Sequence, residues 1–321
     1  MGGQWLAAIL ACSVVLPYAL GLRVTGPAEN VTRDPSTIGL KQKRHSGPSE
    51  LENFRSKWTR LYNTDMESNH IRDPLPASIK MVLGVMTVPQ DSEYRQVLRA
   101  TWMKQTGVCL WNKGEREGCS VYVAFVMGKH GMGTDRHGNP YGSKEISEKE
   151  LEKAHAEAGA LVLDMEENMN EGKTFTWFST ALTKISWATH VGKMDIDTYP
   201  YLHNLLPGIG DCADKTTPFE YMGRPGCSGT FCDKTQLFNN ACPAVEGCTH
   251  NIRHGGTAKW EFMSGALYIL SMPLIKRIAW DAVEHVGPED RLVGKTINTA
   301  AFNQSFCVAV RTVNDWWHSW P

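Results

Sequence analysis

Apolar residues are distributed along this chain in three distinct ways. Trp5 to Leu22 is one uncharged apolar run, whereas residues 23–76 are polar, with scattered Pro, Ser and charge. From Ile79 onward, apolar runs of strand length alternate with amphipathic stretches. "IKMVLGVMTV" reads as a buried strand. "SEYRQVLRATW" after it reads as a helix, pairing Val97 with Thr101 and Leu98 with Trp102 at helical spacing. "SVYVAFVMG", "ALVLDM" and "VGKMDID" are predicted as further strands. Between them, "SKEISEKELEKAHAEAG" is an exposed helix with a Ser start and Gly stop, and "TFTWFSTALTKISWATH" a helix with an aromatic face. Residues 208–256 are Gly- and Cys-rich with almost no periodicity. Regular pattern returns with "KWEFMSGALYILS", then a helix over about 272–286, then "GPEDRLVGKTINTAAF".

This alternation predicts an α/β domain whose mostly parallel sheet is covered by helices on both sides. Ligands of such sheets bind at the carboxyl ends of the strands. The expected organisation is a signal peptide or signal-anchor at 1–22 and a flexible stem at 23–76, with one short helix around Leu51 to Tyr62. A folded domain at 77–321 follows, carrying a disulfide-pinned insertion at 208–256.

Charge and cysteines narrow the class. The net charge of −1 gives no basic excess, which argues against a nucleic-acid partner. Either reading of the amino terminus delivers the chain to the secretory lumen, as a membrane-anchored protein with lumenal carboxyl terminus or, after cleavage, in secreted form. Nine cysteines, one of them in the apolar run, fit disulfide formation there, as do the sequons at Asn30 and Asn303.

Several groups could carry chemistry. Asp195 and Asp197 lie one residue apart at the end of a predicted buried strand, on the same side of an extended chain. Such an oxygen pair suits Mg²⁺ or Mn²⁺ and, through it, phosphate; it also reads as a polar turn or helix cap. Glu289 and Asp290 follow a Gly-Pro turn and open a helix, either as a cap or as a general base on a hydroxyl. Arg95 and Arg99 share a helix face and could clamp phosphate or simply face solvent. Cys242, Cys248, His250 and His254 have zinc-like spacing, although disulfides are the expected state in this compartment. The "DWWHSWP" ending adds aromatics suited to sugar faces, and His318.

Taken together, these segments resemble the β-1,3-galactosyltransferase and β-1,3-N-acetylglucosaminyltransferase family of Golgi enzymes, and among them the trypanosomatid UDP-Gal- or UDP-GlcNAc-dependent glycosyltransferases. Six blocks occur in the family's order: "RQVLRATW", "FVMG", "DMEENMNEGKT" with Asp164, Glu167, Lys173 and Thr174, "KMDID", "EFMSGALYILS" and "EDRLVG". The resemblance implies a GT-A fold, a UDP-sugar donor, a divalent cation and inverting transfer to a glycan hydroxyl on a glycoprotein or glycolipid. By the same resemblance Asp197 is the principal metal ligand, Asp195 holds metal or ribose, and His318 corresponds to a late metal-binding histidine. Asp290 is the base with Glu289 beside it, and Arg95, Arg99, Asp164 and Lys193 belong to the nucleotide pocket. Two positions depart from the pattern: Ile196 replaces the central acid of a D-D-D block, and Arg291 an apolar residue after E-D. The alternative expectation is a protein that keeps the fold and binds without turnover.

Overall fold

A computed structural model describes residues 48–131, 146–210, 218–226, 242, 262–312 and 317–319. The apolar amino-terminal run, the Asn30 sequon and most of the Cys-rich insertion lie outside the described residues. Among the described residues no helix is long and apolar enough to cross a membrane.

The elements in order are α1 (Pro48–Glu67), β1 (Met81–Met86), α2 (Ser92–Ala100), β2 (Val108–Leu110), β3 (Val121–His130), α3 (Glu148–Ala156), β4 (Ala160–Glu166), α4 (Lys173–Lys184) and β5 (His190–Asp195). They continue as β6 (Thr198–Pro200), α5 (Leu202–Gly210), β7 (Glu220–Gly226), β8 (Phe262–Ser271), α6 (Met272–Ile275), α7 (Glu289–Asn303), β9 (Ala309–Thr312) and β10 (Trp317–Ser319). An eight-stranded sheet runs β2-β3-β1-β5-β8-β7-β9, with β4 also paired to β3. β8 is antiparallel to both its neighbours, and every other pairing in this sheet is parallel. The mostly parallel α/β architecture expected from the alternation is therefore present.

Each face of the sheet has its own core. On one face Val82, Tyr122, Ala124 and Val126 meet Phe175, Trp177 and Phe178 of α4 and Val293 and Ile297 of α7. On the other, Leu83, Val85, Val123 and Phe125 meet Phe54 and Trp58 of α1, Val97 and Leu98 of α2, and Leu205 of α5. Burial on both faces is why these strands read as unbroken apolar runs rather than alternating ones. Gly84 in the middle of β1 is required by this packing, because a Cβ there would sit 2.5 Å from the indole of Trp177. At the amino end of β5 a buried charge cluster ties three strands together: His190 contacts Glu220 at 2.8 Å, and Glu220 also accepts from Arg311.

Three expectations change. From residue 48 the predicted stem is folded: α1 buries Phe54 and Trp58, stacked 4.1 Å apart, beneath the sheet. Two aromatics four residues apart are enough to dock an otherwise polar helix. The helix expected over 272–286 stops after α6, because Trp280 turns back into the core and its indole N–H donates to Ile275 O at 3.0 Å. Cys242 is bonded to Cys307, which removes it from the zinc set, while Cys248, His250 and His254 lie outside the described residues. A second disulfide joins Cys109 and Cys119.

Candidate active site

β1 and β5 lie side by side in parallel, and Met86 pairs with Asp195 at their carboxyl ends. A cleft of about 300 Å³ lies at these strand ends, with Met86 and Asp195 in its lining. One wall carries Lys193, Asp195, Ile196, Asp197, Gly265, Glu289 and Asp290. The other carries Thr87, Val88, Asp91, Glu167 and Lys173.

The first wall is organised around Lys193. Its ammonium is buried and donates to Asp195 Oδ1 at 2.6 Å and to Gly265 O at 2.5 Å, and it pairs with Glu289 Oε1 at 2.6 Å. Burial by itself would depress this ammonium. The two carboxylates outweigh that and hold its pKa above the ordinary lysine value. Lys193 thereby links the tip of β5, the middle of β8 and the start of α7. Glu289 is buried, and its second oxygen accepts from the Tyr268 hydroxyl at 2.7 Å. With both oxygens engaged, Glu289 lies beside Asp290 as a brace between Lys193 and Tyr268. Asp290 is less enclosed and lines the cleft. Its Oδ1 accepts from the Arg291 backbone N–H at 2.8 Å, and burial raises its pKa above the usual aspartate value.

The opposite wall is a closed network. Lys173 donates to Glu167 Oε1 at 2.5 Å and to Thr87 O at 2.6 Å, and Glu167 Oε2 accepts from Gly128 N at 2.5 Å. Burial lowers the Lys173 pKa against the pull of Glu167. Both residues belong to a block quoted for the resemblance, yet sequence alone assigned neither a role. Tyr268 likewise lies in a quoted block, "EFMSGALYILS", without an assigned role, and Asp91 carried no signal.

Three residues expected in the nucleotide pocket are not among those lining this cleft. Arg95 is fully buried behind the β1–α2 loop. It donates to Glu157 at 2.9 and 2.6 Å, to Thr87 Oγ1 at 3.1 Å, to Val88 O at 2.5 Å and to Pro89 O at 3.2 Å. Its guanidinium is saturated by the protein, so it reaches the cleft only through the loop it holds. Arg99 donates to Glu157 Oε1 at 2.5 Å and to Ala158 O at 2.7 Å, and lies over the Phe125 ring. Asp164 has a side chain 81% exposed and pairs with Lys129 at 3.2 Å and His130 at 3.3 Å. Neither Arg99 nor Asp164 lines the cleft. His318 pairs in the β10–β6 ladder with Tyr199, two positions beyond Asp197.

The sequence model of the galactosyltransferase family matches residues 93–305, well over half of the chain. The chain belongs to the galactosyltransferase family. No curated protein matches it. Among solved structures it is similar to S. aureus TarS 1-349, at 15% identity and a TM-score of 0.39, covering 75% of this chain and 60% of that one. The UDP-GlcNAc complex of the same TarS segment is similar at 13% identity and a TM-score of 0.37, covering 75% and 58%. The inositol-1-phosphate CTP transferase from T. maritima is similar at 9% identity and a TM-score of 0.32, covering 77% and 90%.

Within this galactosyltransferase-family chain the fit of a divalent cation rests on Asp195 and Asp197. Among the described residues no group of three or more His, Cys, Asp and Glu is arranged to hold a metal ion. Two carboxylates on an open cleft do suit a hard cation that completes its shell with water and substrate phosphate oxygens. The donor set fits a cation that arrives with a diphosphate.

Proposed function

We propose that this chain moves galactose or N-acetylglucosamine from a UDP donor to a glycan hydroxyl, with inversion and a β-1,3 linkage, in the lumen of the Golgi or secretory pathway. The observation that carries the reading is that Asp290, with a raised pKa, shares one cleft with Asp195 and Asp197 at the carboxyl ends of β1 and β5. Family membership supports sugar transfer, and the two disulfides among the described residues support an oxidising compartment.

Asp290 accepts the proton of the acceptor hydroxyl as its oxygen bonds to the anomeric carbon, on the face opposite the leaving UDP. A carboxylate whose pKa is raised toward the working pH is a stronger base than an exposed aspartate. Lys193 keeps Asp195 and Glu289 in register and contributes positive charge beneath the diphosphate side of the cleft. Asp195 and Asp197 would hold Mn²⁺ or Mg²⁺, which when bound offsets charge on the departing diphosphate.

The test is UDP release from UDP-Gal and UDP-GlcNAc against a panel of acceptor sugars, with and without Mn²⁺. We expect release with one donor, its abolition by chelator, and its loss in Asp197→Ala. Activity that survives both would remove the metal role. A second reading, binding without turnover, is favoured by the Lys193 ammonium already seated on Asp195 Oδ1. Saturable UDP binding with no transfer to any acceptor is its signature.

A further inference from the structure

We propose that Asp65, on a helix preceding the residues matched to the family, is a positioning residue that aims the Asp195–Asp197 turn. Its Oδ2 accepts from the Tyr199 hydroxyl at 2.8 Å across 134 positions of sequence. Tyr199 is fully buried, Asp65 nearly so, and Tyr199 is the central residue of β6, two positions after Asp197.

Neighbouring strand residues point to opposite sides, and here both sides are fastened. Thr198 donates to Ala266 O at 3.0 Å, next to the Gly265 carbonyl that holds Lys193. Tyr199 is fastened to α1 through Asp65. Ile196, inside the turn, packs against the same core cluster as Phe54, Trp58 and Tyr199. α1 is already docked by Phe54 and Trp58, so the helix does not need a buried carboxylate to stay attached. Burying one is unfavourable, and burial indeed raises the Asp65 pKa against the opposing Tyr199 bond. The bond supplies direction instead: it fixes the lateral position of the strand that begins one residue after Asp197. Ligand groups held loosely by about 1 Å lose much of their effect.

This inference rests on the reading of Asp195 and Asp197 as the metal–diphosphate site, and the test separates the two. Asp65→Ala, Asp65→Asn and Tyr199→Phe would be made in the full chain. Amide hydrogen exchange would be followed across residues 190–201, with titration of UDP in the presence of Mn²⁺. We expect Asp65→Ala and Tyr199→Phe to speed exchange at 195–199 and to weaken UDP binding by about ten-fold, a typical effect of orphaning a buried hydrogen-bonding group. Asp65→Asn keeps an acceptor for the hydroxyl and returns both readings to near wild type. Unchanged exchange at 195–199 overturns the proposal. So does faster exchange spread equally through β1 and β8, which marks a purely structural role. If the wild-type chain binds no UDP with Mn²⁺, the functional reading fails, and hydrogen exchange alone decides the positioning role.

Discussion

The aspartates at the tip of β5 and the arginines of α2 look equivalent in sequence. Both are pairs of like charges at a spacing that puts them on one side of an element, and both flank a buried strand. In the folded chain they do opposite things. Asp195 and Asp197 line an open cleft, whereas Arg95 and Arg99 are turned inward onto Glu157 and backbone carbonyls. The difference lies in partner saturation. The Arg95 guanidinium, with five hydrogen bonds to protein acceptors, has nothing left for a phosphate and serves as a rivet for the loop that forms the wall, while Arg99 is held by Glu157 and Ala158 O. The same contrast divides Glu289 from Asp290, adjacent in sequence, one braced on both oxygens and the other facing the cleft.

That contrast fails most visibly if the wrong acid carries turnover. Asp290→Asn should lower kcat by about 10²–10⁴-fold, the range for loss of a general base, with UDP affinity little changed. Arg95→Ala should instead strike stability. Removing one partner of a buried ion pair costs about 3–5 kcal/mol, read as a lower urea midpoint. Arg95→Lys should recover little of it, since an ammonium cannot reproduce the forked contacts. Glu289→Gln, which keeps the shape and the Tyr268 contact, should reduce turnover by about ten-fold, well short of Asp290→Asn. A Glu289 effect equal to that of Asp290 would dissolve the distinction between brace and base.

Strands, their parallel sheet and the cleft-lining aspartates were legible because their signals are local. An apolar run between turns and a carboxylate after it are both read within ten residues. What stayed hidden was long-range. Glu157 gave no reason in sequence to be linked to Arg95, 62 positions away, yet that partner decides what Arg95 can do. α1 reads as a short helix in a polar stem because its docking rests on two aromatics, and the Asp65–Tyr199 bond joins residues with all of β1 to β5 between them. The helix expected after β8 was an error of the same kind, since the core position of Trp280 overrides its local pattern.

Glu157 also offers a subtler probe of the same contrast. Burial would raise its pKa, but the bonds from Arg95 and Arg99 outweigh this and hold it below the ordinary glutamate value of 4.5. A carboxylate depressed in the folded state adds stability that is present above its unfolded pKa and is lost as pH falls through the folded one. The wild-type melting temperature should therefore drop below pH 4.5 more steeply than that of Glu157→Gln, whose neutral side chain cannot titrate. Parallel profiles would show that the arginines are not held by Glu157, and would free them for a phosphate.

The smallest effect is expected at Asp164, and its smallness is the point. The family resemblance puts this residue in the nucleotide pocket, yet its carboxylate faces solvent beside Lys129 and His130 and does not line the cleft. An exposed ion pair is screened by salt and adds little. Asp164→Asn should leave the donor KM and kcat within about two-fold of wild type, inside the usual scatter for surface substitutions. A donor KM raised ten-fold or more by this change would mean that β4 moves its carboxylate over the nucleotide when donor binds. The first wall of the cleft would then be preformed, and the second assembled by its ligand.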